Sequence, residues 1–325
     1  MKYLITGGAG FIGSHIARAL LQQGADVRIL DNFSSGKREN LKGLNVEIIE
    51  GDLRDASRVT EAVRGVNIIF HEAAFVSVPE SMEKPQECLD VNVTGTSTLF
   101  EAARKAGVKR VVIASSAAVY GDSTAMPLVE DTPLKQLSPY ATSKRIDEMY
   151  AELFTNQFGL EVAALRYFNV YGPRQRPDSM YAAAVPIFIR RMLDNKPITI
   201  FGDGGQSRDL INVRDVVQAN LLASQHPAAP GQIFNVCTGI ETRLLDLLDI
   251  LYELFPNAPR EYHFSGDELA IEANRELAMR IEVYGRRVAD GKMTRKDADR
   301  KIAMQKALIE IVQKHALGKF FVVPV

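Results

Sequence analysis

The chain has 325 residues, 46% of them apolar and 24% charged, and a net charge of −1. That balance describes an ordinary globular protein with one large or two modest domains, and no basic run marks it for nucleic acid. Its two cysteines, Cys88 and Cys237, lack metal-ligand spacing and fit a reducing compartment better than a disulfide scaffold. Met1-Lys2 leads into a short apolar strand with no secretory pattern, and no stretch approaches the ~20 apolar residues of a membrane span, so the expected location is the cytoplasm.

In chain order the first half alternates strand and helix signals. Strands are predicted at Tyr3–Thr6, Val27–Leu30, Val46–Ile49, Asn67–Phe70, Arg110–Ala114 and Val162–Leu165. Helices are predicted at Phe11–Gln23, Ala56–Arg64, Tyr140–Phe158 and, as one long element, Cys88–Ala106. Short apolar strands between helices predict an α/β fold, a doubly wound parallel sheet covered on both faces. The second half is less regular: a helix over Ala182–Leu193, a strand at Ile198–Phe201, a loop at Gly202–Gly205, a helix over Val213–Ser224, a strand at Ile233–Val236 and a helix over Leu244–Leu254. After Pro259 the chain becomes charged and helical in pattern, with helices expected near Asp267–Val288 and Thr294–Ala316 and an apolar end at Phe320–Val325.

Three motifs carry chemistry. Thr6-Gly7-Gly8-Ala9-Gly10-Phe11-Ile12-Gly13 follows a strand and opens a helix. Its glycines let a pyrophosphate approach the backbone, and the free amides of the helix start face the phosphates. Asp31, at the end of the second strand, can accept both ribose hydroxyls of adenosine and would repel a 2′-phosphate, which favours NAD over NADP. Asp52-Leu53, past the third strand, is placed to meet the adenine. Second, Tyr140 and Lys144 are four apart on one predicted helix and share a face, where an ammonium favours the phenolate form of its neighbour. Third, Ser116 ends the fifth predicted strand and its loop, and its hydroxyl can hydrogen-bond the substrate oxygen that Tyr140 deprotonates. The histidines read as packing or orienting groups, and no metal site is expected.

Together these motifs resemble the extended short-chain dehydrogenase/reductase family, and within it the nucleotide-sugar epimerases of the UDP-glucose 4-epimerase type, over residues 1–258. Further matches are Asp31-Asn32-Phe33-Ser34-Ser35-Gly36, His71-Glu72-Ala73-Ala74, Asn92-Val93-Thr94-Gly95-Thr96, Arg166-Tyr167-Phe168-Asn169-Val170-Tyr171-Gly172-Pro173 and Gly202-Asp203-Gly204-Gly205-Gln206-Ser207-Arg208-Asp209. The resemblance implies a Rossmann-type NAD-binding domain over residues 1–175, with 208–238 packing back on it, a smaller substrate domain over 176–259 and an atypical tail over 260–325. It implies NAD held by Gly7, Gly10, Phe11, Ile12, Gly13, Asp31, Asn32, Ser34, Gly36, Asp52, Leu53, Ala73, Ala74, Asn92, Tyr140, Lys144 and Phe168. Ser116, Tyr140 and Lys144 would be catalytic, Ser116 and Asn169 would touch the sugar nucleotide, and Arg208 would pair with its diphosphate, as a planar guanidinium does well.

The reaction so implied is transient oxidation of the sugar to a 4-keto intermediate and reduction from the other face. Ala117 and Ala118 stand where related dehydratases carry an Asp-Glu pair and related decarboxylases a Glu, and alanine transfers no protons. Alternatives are an epimerase for another nucleotide sugar, such as UDP-N-acetylglucosamine, and a catalytically impaired NAD-binding interaction or regulatory protein. The tail lacks the family's Arg-x-Gly-Asp-like segment that finishes the pocket. A homodimer is expected through the helices near Cys88–Ala106 and Tyr140–Phe158, with Leu99, Phe100, Met149, Leu153 and Phe154 as surplus apolar groups.

Overall fold

A computed structural model of the chain describes residues 1–123, 125–176, 183–201 and 203–265, with 294–296, 298–299 and 302. In chain order the elements are β1 (Lys2–Thr6), α1 (Phe11–Gln22), β2 (Asp26–Asp31), β3 (Glu47–Glu50), α2 (Ala56–Val63), β4 (Ile68–His71), α3 (Val78–Glu83), α4 (Pro85–Leu89), α5 (Gly95–Lys105), β5 (Arg110–Ser116), α6 (Pro139–Phe158), β6 (Glu161–Tyr167), β7 (Asn169–Tyr171), α7 (Ala184–Leu193), β8 (Ile198–Phe201), β9 (Ser207–Asn212), α8 (Val213–Gln225), β10 (Ile233–Val236), β11 (Glu241–Arg243), α9 (Leu244–Leu254) and β12 (Tyr262–Ser265).

The chain divides into two units, residues 1–187 with 209–241, and residues 188–208 with 242–325. The first holds a seven-stranded sheet in the order β10-β6-β5-β4-β1-β2-β3, the Rossmann-type arrangement. Its strands pair in parallel, for example Tyr3 with Val27 and with Ile68. Alternate side chains of each apolar run serve opposite faces. Ile5, Ile29, Phe70, Val112 and Leu165 pack with Ile16 and Leu20 of α1 and Val216 of α8. Leu4, Leu30, Ile69, Val111 and Val162 pack with Val59 of α2, Leu99 and Phe100 of α5 and Phe154 of α6. Two apolar faces explain why these strands read as continuous rather than alternating hydrophobic runs.

The helix expected over Cys88–Ala106 differs. α4 runs into a five-residue π-helical turn, Asp90–Thr94, before α5 begins. Among the described residues five short elements, α3, β7, β9, β11 and β12, have no counterpart in the sequence reading. β7 and β9 pair in parallel, Asn169 opposite Leu210 and Tyr171 opposite Asn212, which carries the segment after β6 beyond the main sheet. Leu99, Phe100 and Phe154, expected as surplus, are core residues of the first unit, whereas Met149 and Leu153 remain exposed.

In the second unit β8 pairs in parallel with β12, Ile198 opposite Tyr262 and Ile200 opposite Phe264. Its buried apolar residues include Phe188, Met192, Ile198, Ile200, Leu248, Leu251 and Ala298. In the tail, 295, 296, 298, 299 and 302 are helical, and Arg295 pairs with Asp299 at 3.3 Å. The expected helix over Asp267–Val288, the remainder of Thr294–Ala316 and the Phe320–Val325 end lie outside the described residues. Among the described residues no helix is long and apolar enough to cross a membrane.

Candidate active site

The sheet order reverses between β1 and β4, and in a parallel open sheet that crevice at the carboxyl ends of the strands is where ligands bind. The glycine loop after β1 meets the segment after β4 there. Gly7 has φ +68, and a Cβ on it would stand 2.7 Å from the Ala73 nitrogen. A Cβ on Gly13 would overlap the Gly7 carbonyl oxygen. Only glycine fits at both, and the loop bends tightly enough to start α1 at Phe11. Gly10 caps α1 without a side-chain hydrogen bond, and no acid lies in the first turn, so the amides there keep their capacity for an anion.

Asp31 is buried, and its carboxylate accepts from Ala9 N and Phe33 N, both at 2.8 Å. Burial nonetheless leaves its carboxyl above the usual range, against the downward pull of those two amides and of Arg38. Gly36 abuts this carboxylate, since a Cβ there would lie 2.9 Å from Asp31 Oδ1. Asn32 donates to Asp52 at 2.8 Å and accepts from Ser34 N at 3.0 Å. The Arg54 guanidinium holds the Asp52 carboxyl far below the usual carboxylate range. Leu53 is buried against Gly95 of α5. Asp31, Asn32, Ser34, Gly36, Asp52 and Leu53 therefore form one neighbourhood beside the glycine loop.

The second cluster forms around α6. Ser138 caps the helix by accepting from Ala141 N at 3.1 Å, and Pro139 occupies the first turn, where no amide is needed. The Tyr140 amide, another orphan donor of that turn, reaches the fully buried Ser81 Oγ of α3 at 3.2 Å. One turn on, Lys144 is buried and donates to Ala114 O of β5 at 2.9 Å. Ser116 ends the same strand and accepts from Ala118 N at 3.2 Å, capping a 3₁₀ turn over Ala117–Tyr120. Glu148 binds this corner together: its carboxylate accepts from Ser115 Oγ at 2.6 Å and from Arg166 at 2.8 and 3.0 Å. Such a two-pronged buried pair fixes α6 against β5 and β6.

The π-helical turn explains Asn92. Its amide accepts from Phe75 N at 2.7 Å and donates to Phe75 O at 3.1 Å and to Ser143 at 2.8 Å. Asn92 thus pins the Ala73-Ala74-Phe75 segment to α6. Phe168 is partly buried beside Tyr120, with ring centres 6.4 Å apart. Asn169 is exposed, and its amide donates to Asp209 O at 3.2 Å. Arg208 is exposed in the second unit and donates to Ser207 O at 2.7 Å. His15 donates from Nε2 to Pro173 O at 2.9 Å, an orienting role between α1 and the segment after β7.

Several polar groups of this region had no role in the sequence reading: Ser81, Asp147 and Glu148, and, beyond their place in matching motifs, Thr96 and Arg166. Each acts through a partner remote in the chain or on another element. The one signal the sequence offered is Arg166 itself, a charged residue near the end of the apolar run of β6. Among the described residues no group of His, Cys, Asp and Glu is arranged to hold a metal ion.

The model of the NAD dependent epimerase/dehydratase family matches residues 3–237. The UDP-glucose 4-epimerase of Mycolicibacterium smegmatis is 43% identical over 253 residues, 76% of this chain and 80% of that protein. The structure of UDP-glucose 4-epimerase from Thermotoga maritima, with UDP-glucose, superposes with a TM-score of 0.78 at 38% identity, covering 82% of this chain and 85% of the other. That of UDP-N-acetylglucosamine 4-epimerase from Methanobrevibacter ruminantium, in complex with UDP-N-acetylmuramic acid, gives 0.77 at 38% identity over 81% and 85%.

Proposed function

The chain belongs to the NAD dependent epimerase/dehydratase family, and on that footing we propose that it interconverts the 4-epimers of a uridine-diphosphate sugar, UDP-glucose and UDP-galactose. It is an NAD-dependent enzyme, and the glycine cradle at Gly7 and Gly13 together with the uncapped start of α1 fits that cofactor's diphosphate. The observation that supports the reading most directly is the bond from Lys144 Nζ to Ala114 O at 2.9 Å, which brings the Tyr140–Lys144 face to the strand end that carries Ser116.

In this reading Gly7, Gly10, Phe11, Ile12 and Gly13 receive the diphosphate, and Asp31, Asn32, Ser34, Gly36, Asp52 and Leu53 receive the adenosine. Ala73, Ala74, Asn92 and Phe168 complete the cofactor site. Bound NAD supplies the acceptor that takes a hydride from the sugar carbon and later returns it. Tyr140 Oη removes the proton of the 4-hydroxyl, Ser116 Oγ hydrogen-bonds the same oxygen, and the Lys144 ammonium favours the phenolate that does so. The proton stays on Tyr140 while the 4-keto sugar turns over, and returns to the same oxygen afterwards. Ala117 and Ala118 offer no acid or base for elimination.

Asn169 touches the nucleotide sugar and Arg208 suits its diphosphate, the roles the resemblance implies, with residues 176–259 as the substrate domain. A homodimer through α5 and α6 is supported by Met149 and Leu153, 54% and 44% exposed. A cytoplasmic location is supported by two unbridged cysteines. UDP-N-acetylglucosamine stands as a second substrate, since the epimerase acting on that sugar is as similar in sequence as the one bound to UDP-glucose, 38% in each case.

The test is 4-epimerisation of UDP-galactose and UDP-N-acetylgalactosamine by the purified protein and by Tyr140→Phe. Turnover of at least one sugar is expected in the parent, with a loss of about 10³-fold in the variant while NAD stays bound. Near-parental turnover in Tyr140→Phe would overturn the mechanism.

A further inference from the structure

Ser116 Oγ caps the start of the 3₁₀ turn over Ala117–Tyr120, and that turn is only four residues long. A turn so short has little hold of its own, so its place is set by what grips its ends. The far end is Tyr120, 1% exposed, whose hydroxyl accepts from Arg166 Nη1 at 2.8 Å and donates to Asn235 Oδ1 of β10 at 2.7 Å. The guanidinium carbon of Arg166 also lies 4.9 Å from the centre of the Tyr120 ring. Just beyond, Gly121 turns the chain with φ +65, and a Cβ there would overlap the Lys135 carbonyl oxygen.

Arg166 acts on both sides of Ser116. Its Nε and Nη2 hold the Glu148 carboxylate, which accepts from the Ser115 hydroxyl at 2.6 Å, and Ser115 stands opposite Arg166 in the β5–β6 register. Its Nη1 holds the Tyr120 oxygen and, at 3.0 Å, the Glu130 carbonyl. Donor and acceptor capacities agree along this path. A guanidinium only donates, so the Tyr120 oxygen accepts and its single proton goes to Asn235 Oδ1. The Asn235 amide donates in turn from Nδ2 to Leu128 O at 3.0 Å. At the near end the Ala118 amide occupies one lone pair of Ser116 Oγ at 3.2 Å, which leaves the Ser116 proton for another acceptor.

We infer that Tyr120 is a positioning residue for Ser116: its hydroxyl, fixed between Arg166 and Asn235, holds the turn that aims Ser116 Oγ. The inference rests on the reading of Ser116 as the hydroxyl that hydrogen-bonds the sugar oxygen. A side chain that only filled the core here would need no hydroxyl, since burying one costs free energy that its hydrogen bonds must offset.

The experiment compares the parent, Tyr120→Phe, Ser116→Ala and the double variant, each as the full chain with NAD bound and assayed on the UDP-sugar that the parent turns over. Tyr120→Phe keeps the ring and removes the hydroxyl. It is expected to lower kcat by about tenfold or more, with KM within about twofold and NAD retained. In the Ser116→Ala background the same change is expected to lower kcat by less than about threefold, because residues that act as a unit are not additive. Amide exchange, read by mass spectrometry, is expected to quicken by about tenfold over 117–121 in Tyr120→Phe and to stay parental over 110–114, the body of β5. Parental kcat in a folded Tyr120→Phe, an equal fold-loss with and without the Ser116 hydroxyl, or exchange over 117–121 that does not quicken or quickens equally over 110–114 would each overturn the inference. Where Tyr120→Phe does not fold, Asn235→Ala removes the acceptor of the Tyr120 proton from a partly buried position, and the same outcomes are read from it. An inactive parent, or parental turnover in Ser116→Ala, counts against the proposed function, and the exchange measurement then decides this inference alone.

Discussion

The Glu72 carboxylate accepts from the Tyr167 hydroxyl at 2.8 Å, and Asn220 Nδ2 donates to that hydroxyl at 2.7 Å. Burial pushes Glu72 up to about 7, although the Tyr167 bond and the Lys144 charge both pull it down. In the unfolded chain a glutamate titrates near ~4.3, so the folded protein binds this proton more tightly. The stability so gained is whole below about pH 4 and is lost as the pH rises through about 7. The difference of two to three units corresponds to on the order of 3 kcal/mol. Glu72→Gln keeps the shape and cannot ionise. Urea unfolding is expected to show the parent losing on the order of 3 kcal/mol more than Glu72→Gln between about pH 4.5 and 8.5, and parallel curves would show that the carboxyl is not held in this way. In the sequence, Glu72 was part of a matching motif and nothing more. Its partner Tyr167 lies 95 residues away, and neither residue type announces the other. The placement of Tyr140, Lys144 and Ser116 was legible because two of them share one helix face and the third ends a recognisable strand.

At the scale of elements, the β1–α1 turn is the most tightly specified. Gly13→Ala would drive a methyl into the Gly7 carbonyl, where backbone rather than a flexible side chain must give way. The expected cost is about 1–3 kcal/mol of stability, by analogy with overpacked cores. A loss of at least about tenfold in NAD affinity should accompany it, read by titration calorimetry, because each 1.4 kcal/mol of misplaced contact is a factor of ten. Parental NAD affinity would mean that the turn can relax. This element was legible because its glycines, the strand before it and the helix after it all agree. The π-helical turn at Asp90–Thr94 was not, since apolar periodicity changes little across one extra residue. β7 and β9 were missed because three to six residues carry little periodic signal, and their pairing joins positions 41 apart, as in Asn169 and Leu210. The tail was read from charge and periodicity as helical, and the helix over Thr294–Ala316 agrees at 295, 296, 298, 299 and 302.

At the scale of the molecule, the dimer is the prediction that concerns the surface. Leu99 and Phe100 are fully buried and Phe154 is 7% exposed, which leaves Met149 and Leu153 as the exposed apolar pair one turn apart on α6. Multi-angle light scattering at micromolar concentration is expected to give a dimer for the parent and a monomer for Met149→Glu/Leu153→Glu, and a monomeric parent would remove the interface. The α/β class and the parallel sheet were legible from alternating strands and helices. The partition of one apolar run between two faces required the sheet itself. The sheet also has a history. β10 pairs with β6, yet between them the chain leaves the first unit after Ile187 and rejoins it at Asp209. During synthesis β6 therefore stays an open edge, the main-chain groups on the side away from β5 unpaired, until some 65 further residues have been made. At the usual pace of translation that interval is roughly 3–13 s. An edge strand exposed for that long is a template for pairing with another nascent chain. The last strand to join the sheet thus sets the period in which a growing chain most needs a chaperone.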